Sequence, residues 1–228
     1  AHDMFFQSKN DFMLLNPLDE AVVKLRAEPN AVLPFHWEIE FPEVFAEPRA
    51  GFDAFIGNPP FLAGGQIEPS YGRGWRDFLV MMIAAGAKGT RGAGDLCVYF
   101  LLRTYSLLRD GGAFGLITTN TVSQGDSRTI GLSKIVDSGG SIFSARKSMH
   151  WPGSASTEIS QVFVFKGEYA GTRSIDMTPV KHVSPFLTDF DLPDEPQKLV
   201  SNADLAFEGA KLIGDGFILE PDEAEELK

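Results

Sequence analysis

The sequence predicts an α/β fold, with parallel strands joined by crossover helices. Three observations carry that expectation. Short apolar runs that read as buried strands, Phe52–Gly57 and Ala113–Thr118, alternate with longer runs at helical spacing. The first run stops hard at Asn58-Pro59-Pro60, which no central strand tolerates. The late segments 141–145 and 159–165 read as two strands with no helix between them, so they are expected to form an antiparallel hairpin at the sheet edge.

In chain order, residues 18–27 place Leu18, Ala21, Val22 and Leu25 near helical spacing and stop before Pro29, which predicts a short helix. Residues 34–48 combine prolines and acids with Phe35, Trp37, Phe41 and Phe45, and read as an extended segment packed on the domain. After the strand 52–57 comes a glycine-rich stretch, 64–74, and then a helix over 75–85. Residues 88–94 form a loop with two basic residues. Asp95 has the right chemistry to cap the helix that Leu96, Tyr99, Phe100, Leu102, Leu107 and Leu108 trace, and that helix is expected to end at Asp110-Gly111-Gly112. A polar turn, Thr119-Asn120-Thr121, follows the strand 113–118, and a helix is expected over 127–137. No internal repeat is evident.

Composition excludes several classes. Of the 228 residues, 43% are apolar and 22% charged, the values of an ordinary globular domain. No apolar run is long enough to span a bilayer, so no membrane partner is expected. Ala1-His2-Asp3 opens no basic-then-apolar leader. The single cysteine, Cys97, rules out an internal disulfide and a multi-cysteine metal site, and a cytoplasmic location is the expectation. A net charge of −11 argues against nucleic acid, but twelve acids against three lysines crowd residues 189–228, which leaves residues 1–188 nearly neutral. The expected organisation is a lead-in over 1–50, a catalytic part over 51–170 and an acidic segment over 171–228.

Chemistry concentrates at Asn58-Pro59-Pro60-Phe61. In an open α/β sheet, the loops at the carboxyl ends of strands form the ligand crevice, and this tetrapeptide stands at such an end. Asn58 Oδ1 and the Pro59 carbonyl can both accept hydrogen bonds from an exocyclic amine. Phe61 offers a face for a planar ring. Two acceptors on one amine draw its lone pair out of conjugation and make the nitrogen more nucleophilic. The plain alternative is a turn that ends a strand.

With these residues read, the chain resembles the N6-adenine DNA methyltransferases with an Asn-Pro-Pro-Phe motif, in particular the large type II restriction–modification enzymes of the MmeI kind. Segment 52–61 is similar to their catalytic motif. Gly94-Asp95-Leu96-Cys97-Val98-Tyr99-Phe100 looks like their next helix, and residues 108–121 like the strand and turn that follow. Met149-His150-Trp151-Pro152-Gly153, with 159–165, looks like their late aromatic loop and hairpin. Residues 35–45 and 212–217 are similar to flanking segments of the same group. The resemblance implies a Rossmann-like S-adenosylmethionine-dependent methyltransferase fold, of which this chain is the second half of the sheet with a terminal antiparallel hairpin. It implies double-stranded DNA as partner and a target adenine flipped from the duplex. Catalytic roles fall on Asn58, Pro59, Pro60 and Phe61. Base stacking or DNA contact falls on Phe61, Trp151 and Asn120, and contact with the cofactor on Asp53, Asn58 and Asp95. Direct displacement needs no covalent intermediate, so Cys97 has no nucleophilic role.

The chain departs from that pattern in one respect. The family's glycine-rich cofactor loop precedes the catalytic motif, and here no glycine occurs before Gly51. Gly214-Asp215-Gly216 follows no clear strand and reads as a turn. The chain therefore reads as part of a larger enzyme, without the cofactor half and the target-recognition domain, and inactive alone. An apolar face left by the missing half would favour self-association.

Other residues carry two readings each. Asp53 is a solvated strand-start acid or a cofactor contact. Asp95 is a cap or a cofactor-side group. Thr119 and Asn120 line the crevice or make a turn, and Trp151 braces the base or packs a loop. Arg73, Arg76, Lys88 and Arg91 contact phosphates or lie in a solvated loop. The four histidines show no metal-ligand spacing, and His36 and His150 read as packing residues beside tryptophans. Two rival functions remain: the same motif serves enzymes acting on RNA or on protein glutamine, and a non-catalytic subunit could keep the fold to bind partners.

Overall fold

The computed structural model describes residues 35–46, 48, 50–86, 94–152 and 157–191, together with Val23. Apart from Val23, the helix expected over 18–27 lies outside the described residues, as do Lys88, Arg91, Gly153 and everything after Asp191.

Six strands form one sheet: β1 Phe52–Gly57, β2 Leu108–Thr119, β3 Gly140–His150, β4 Glu158–Lys166, β5 Arg173–Ile175 and β6 Thr178–Val180. Their order is β1-β2-β4-β3-β5-β6. Only β1–β2 and β3–β5 are parallel, and the other three pairs are antiparallel, so the sheet is mixed rather than parallel. The β3–β4 hairpin exists, but it is not the edge: β4 pairs with β2, and two further strands continue the sheet beyond β3. Those two strands are three residues each, too short to show alternation. The turn between them places Asp176 and Met177 at φ +49° and +67°, a mirror-image turn without the usual Asn-Gly signal.

Helices α1 Trp37–Glu40 and α2 Pro42–Phe45 lead into β1. The described part of segment 34–48 is thus packed, as expected, but largely helical rather than extended. Pro42 stands at the first turn of α2, where its missing N–H costs nothing. The packing is aromatic: Phe41 and Phe45 lie edge-on to Phe52 at 5.6 and 5.5 Å, and Trp37 meets Phe55 at 5.8 Å.

After β1 come α3 Gly64–Tyr71, α4 Arg73–Phe78 and a π-wound turn, Leu79–Ile83. The glycine-rich stretch therefore contains a helix that its composition hid. Fully buried Ile67 anchors it, which outweighs the poor helix propensity of two glycines. Helix α5 covers Leu96–Leu107. It ends before the expected Asp110, because Leu108 pairs with Phe52 and is drawn into β2. A bulge separates that pair from Ala54–Ala113, with Gly111 at φ +75°. Gly51, at φ +129°, brings its backbone so close that a Cβ would lie 2.4 Å from the Arg109 nitrogen. A 3₁₀ turn, Asn120–Ser123, leads into one helical run: α6 Gly125–Arg128, π-wound Thr129–Ser133 and α7 Lys134–Asp137.

The core lies on one face of the sheet. Phe114, Leu116, Val162, Val164, Ile142 and Ala145 pack with Val98, Leu101 and Leu102 of α5 and with Ile130, Leu132 and Ile135. The opposite face is open near β1, where Ile56 is 92% exposed. Among the described residues, β1 pairs only with β2. No helix among them is long and apolar enough to cross a membrane.

Candidate functional site

Strand β1 ends at Gly57, and the tetrapeptide leaves the sheet at its carboxyl end. Pro59 is buried and Phe61 half-buried, while Asn58 and Pro60 are exposed. The motif is therefore pinned through its first proline, with the Asn58 side chain free to meet a ligand. A crevice of about 180 Å³ opens there, lined by Asn58, Phe61, Trp151 and Thr157. Residues from the ends of β1 and of the β3–β4 hairpin, some ninety positions apart, thus share one hollow. The Trp151 N–H donates to the Thr157 carbonyl at 2.9 Å, which extends the hairpin by one rung and holds both residues at the crevice they share with Phe61.

The remaining candidates divide. Asp53 lies at the other end of β1, roughly 16 Å from Asn58 at the rise of an extended strand. It accepts from Arg109 Nε at 2.6 Å and is not one of the crevice walls. Asn120, at the end of β2, donates its amide to Glu158 at 3.0 Å and is not one of the crevice walls. Asp95 takes the N-cap position of α5, but its side chain makes no cap bond, contrary to expectation. The first turn is satisfied by backbone instead: Leu96 N–H donates to the Leu62 carbonyl and Val98 N–H to the Asp95 carbonyl. The carboxylate accepts from Gly64 N–H at 3.3 Å and from the Thr119 and Thr121 hydroxyls at 2.8 and 2.5 Å.

Arg73 and Arg76 belong to α4 rather than to a loop. Both reach Asp77, and Arg76 also reaches Glu68 at 2.5 Å, so these cations already have carboxylate partners. Their bond to Asp77 raises the Arg76 pKa further above its ordinary value. His150 is exposed at the end of β3 rather than packed, and His182 pairs with Asp191 at 3.0 Å. Cys97 is fully buried, 3.6 Å from the Thr119 hydroxyl, and burial pushes its thiol up from the usual range. Among the described residues no group of histidines, cysteines and acids could hold a metal. A larger hollow of about 490 Å³ beside α5, walled by residues such as Trp75, Phe78 and Phe100, contains no part of the motif. Thr157 and Glu158 escaped sequence reasoning because a polar residue before a hairpin strand gives no signal of its own.

Residues 6–137 match the Eco57I restriction-modification methylase family, more than half of the chain, and the chain belongs to that family. No curated protein matches. Among solved structures, the type IIL restriction-modification enzyme MmeI in complex with DNA aligns at 16% identity and a TM-score of 0.52, over 71% of this chain and 22% of that one. That level of likeness concerns the fold. Two others align with TM-scores of 0.40 and 0.36. They are a putative class I S-adenosylmethionine-dependent methyltransferase from Listeria monocytogenes (10% identity, 54% of this chain, 34% of that one) and the methyltransferase subunit of a type I restriction-modification system from Streptococcus thermophilus (17%, 57% and 26%). The chain thus spans about a fifth of the length of MmeI.

Of the three residues expected to hold S-adenosylmethionine, only Asn58 faces the crevice. Asp53 is paired at the far end of the strand, and both Asp95 oxygens are occupied by protein donors. Asp53 and Asp95 are thus engaged with protein partners, and Asn58 is the one of the three placed at the crevice.

Proposed function

We propose that this chain is the target-base half of a site-specific DNA methyltransferase, acting on N6 of a flipped adenine within a restriction–modification or defence enzyme. The observation that carries the reading is the shared crevice, with the Asn58 amide, the Phe61 ring and the Trp151 ring around one small hollow. At about 180 Å³ it is smaller than a drug-sized ligand pocket, which suits one planar base rather than a whole nucleotide. Asn58 Oδ1 and the Pro59 carbonyl accept the two amine protons of the base. Phe61 stacks on one face, and Trp151 braces the ring from the hairpin side. Base–aromatic stacking of this kind contributes about 1–3 kcal/mol per base, enough to offset the few kcal/mol of unstacking. Fixing the amine in one orientation is where the acceleration arises, since alignment alone can supply roughly 7–11 kcal/mol of a bimolecular barrier. The methyl donor is S-adenosylmethionine by family resemblance, held outside these residues.

The test is methylation of adenine-containing duplex DNA by the full-length enzyme and its Asn58→Ala form. Loss of N6-methyladenine in the variant is expected. Equal methylation by both would remove Asn58 from the chemistry. Methylation of RNA or of a glutamine peptide in place of DNA would reassign the substrate.

A further inference from the structure

We propose that Asp95 is a positioning residue, which ties the loop behind Phe61 to the turn that ends β2 and so sets where the motif wall stands in the crevice. Two segments distant in sequence meet on this one side chain. Its Oδ1 accepts from Gly64 N–H at 3.3 Å, three residues after Phe61. Its Oδ2 accepts from Thr119 at 2.8 Å and from Thr121 at 2.5 Å. The two hydroxyls lie 2.9 Å apart, so the single Thr121 proton is shared between the Thr119 oxygen and the carboxylate, and the three groups form one closed cluster. The Asp95 N–H adds a fourth tie, donating to the Oγ of buried Ser127 at 3.1 Å. Alongside, the Leu62 carbonyl accepts from Leu96 N–H at 2.8 Å, so residues 62 and 64 are both held to the start of α5.

A carboxylate suits this task because it only accepts, on two oxygens, and its bonds are charge-assisted. A helix cap needs one such bond, and α5 draws none from this side chain. The β1–β2 ladder already holds the strand ends together as far as Gly57–Leu116. What the side chain does instead is tie the loop at Gly64, just after Phe61, to the turn at the end of β2. The catalytic consequence rests on the proposed adenine-methyltransferase reading; the tie itself does not.

The experiment uses the full-length enzyme with Asp95→Ala, Asp95→Asn, Thr121→Val and Asn58→Ala. Steady-state methylation of a duplex is measured at saturating cofactor, and amide hydrogen exchange is followed in each variant. Asp95→Ala is expected to lower kcat about 100-fold, the cost of an ångström-scale misplacement, with KM for the duplex within about threefold. Asp95→Asn, which keeps one carbonyl acceptor and the shape, restores most of kcat, and Thr121→Val falls between. Exchange should rise in residues 61–64 and 119–123 and stay unchanged in 159–165. An unchanged kcat in Asp95→Ala beside an impaired Asn58→Ala overturns the positioning role alone. A fall in protection across the whole sheet would overturn it too, in favour of a general stabilising role. If the wild type methylates no DNA adenine, the functional reading fails, and the exchange pattern still decides the tie: no local change in 61–64 refutes it.

Discussion

The two walls of the crevice are built to different standards. The motif wall follows a strand whose partner β2 is paired on both sides, is pinned by buried Pro59, and is backed by the Asp95 ties. The Trp151 wall caps a long hairpin with irregular register between Arg146 and Met149, a left-handed Ser148 at φ +47°, and one described backbone bond to Thr157. The difference teaches where rigidity is placed. The side proposed to align the reacting amine carries redundant anchors, and the side proposed to receive the base carries few among the described residues.

Substitutions on each wall separate these roles. The largest effect should come from Asn58→Ala. Removing a preorganised polar partner at a reacting group costs roughly 10²–10³-fold in kcat, with duplex affinity little changed. A larger loss in affinity than in kcat would break the assignment of alignment to this wall. Next is Phe61→Ala, which should cost about 1–3 kcal/mol of stacking, roughly 5- to 150-fold in kcat/KM. Trp151→Ala should fall at the low end of that range and appear in KM for the duplex rather than in kcat. The reverse pattern would mean that the hairpin wall, not the motif wall, aligns the base. Leu101→Ala serves as a control, since it touches neither wall. It should destabilise the core by about 2–5 kcal/mol in denaturant unfolding and leave per-molecule activity of the folded fraction alone. The smallest effect concerns Cys97. Burial raises its pKa, so the reactive thiolate is scarcer than for a free cysteine at the same pH. Alkylation by iodoacetamide at pH 8 should be slow in the native protein and fast after unfolding. Rapid native labelling would show that the end of β2 opens beside the motif wall.

Much of this was legible in the sequence because it is local. The strand before Asn58 has the expected bounds, since an apolar run and a proline pair define both ends without help from elsewhere. The helix after Asp95 and the helical run to Asp137 follow from periodicity. Helix α3 was not legible, because buried Ile67 and the tie to Asp95 overrule two glycines. The position of the β3–β4 hairpin inside the sheet was not legible either. Two three-residue strands carry too little pattern to announce that the sheet continues.

The candidate site divides along the same line. The sequence alone determined which groups are proposed for the chemistry. An amide, a proline-held carbonyl and an aromatic ring after a buried strand are covalently adjacent, so their meeting needs no fold to arrange it. Tertiary structure decided which distant groups join them. It brought Trp151 and Thr157 to the crevice, left Asp53 about 16 Å away at the other end of its strand, and turned Asp95 from a helix cap into a cross-tie. The physical reason is that hydrogen-bond partners are chosen by distance in space. The Leu62 carbonyl reached the first turn of α5 and relieved Asp95 of capping, leaving its carboxylate to the threonines of another strand. Nothing within a few residues of Asp95 records that exchange.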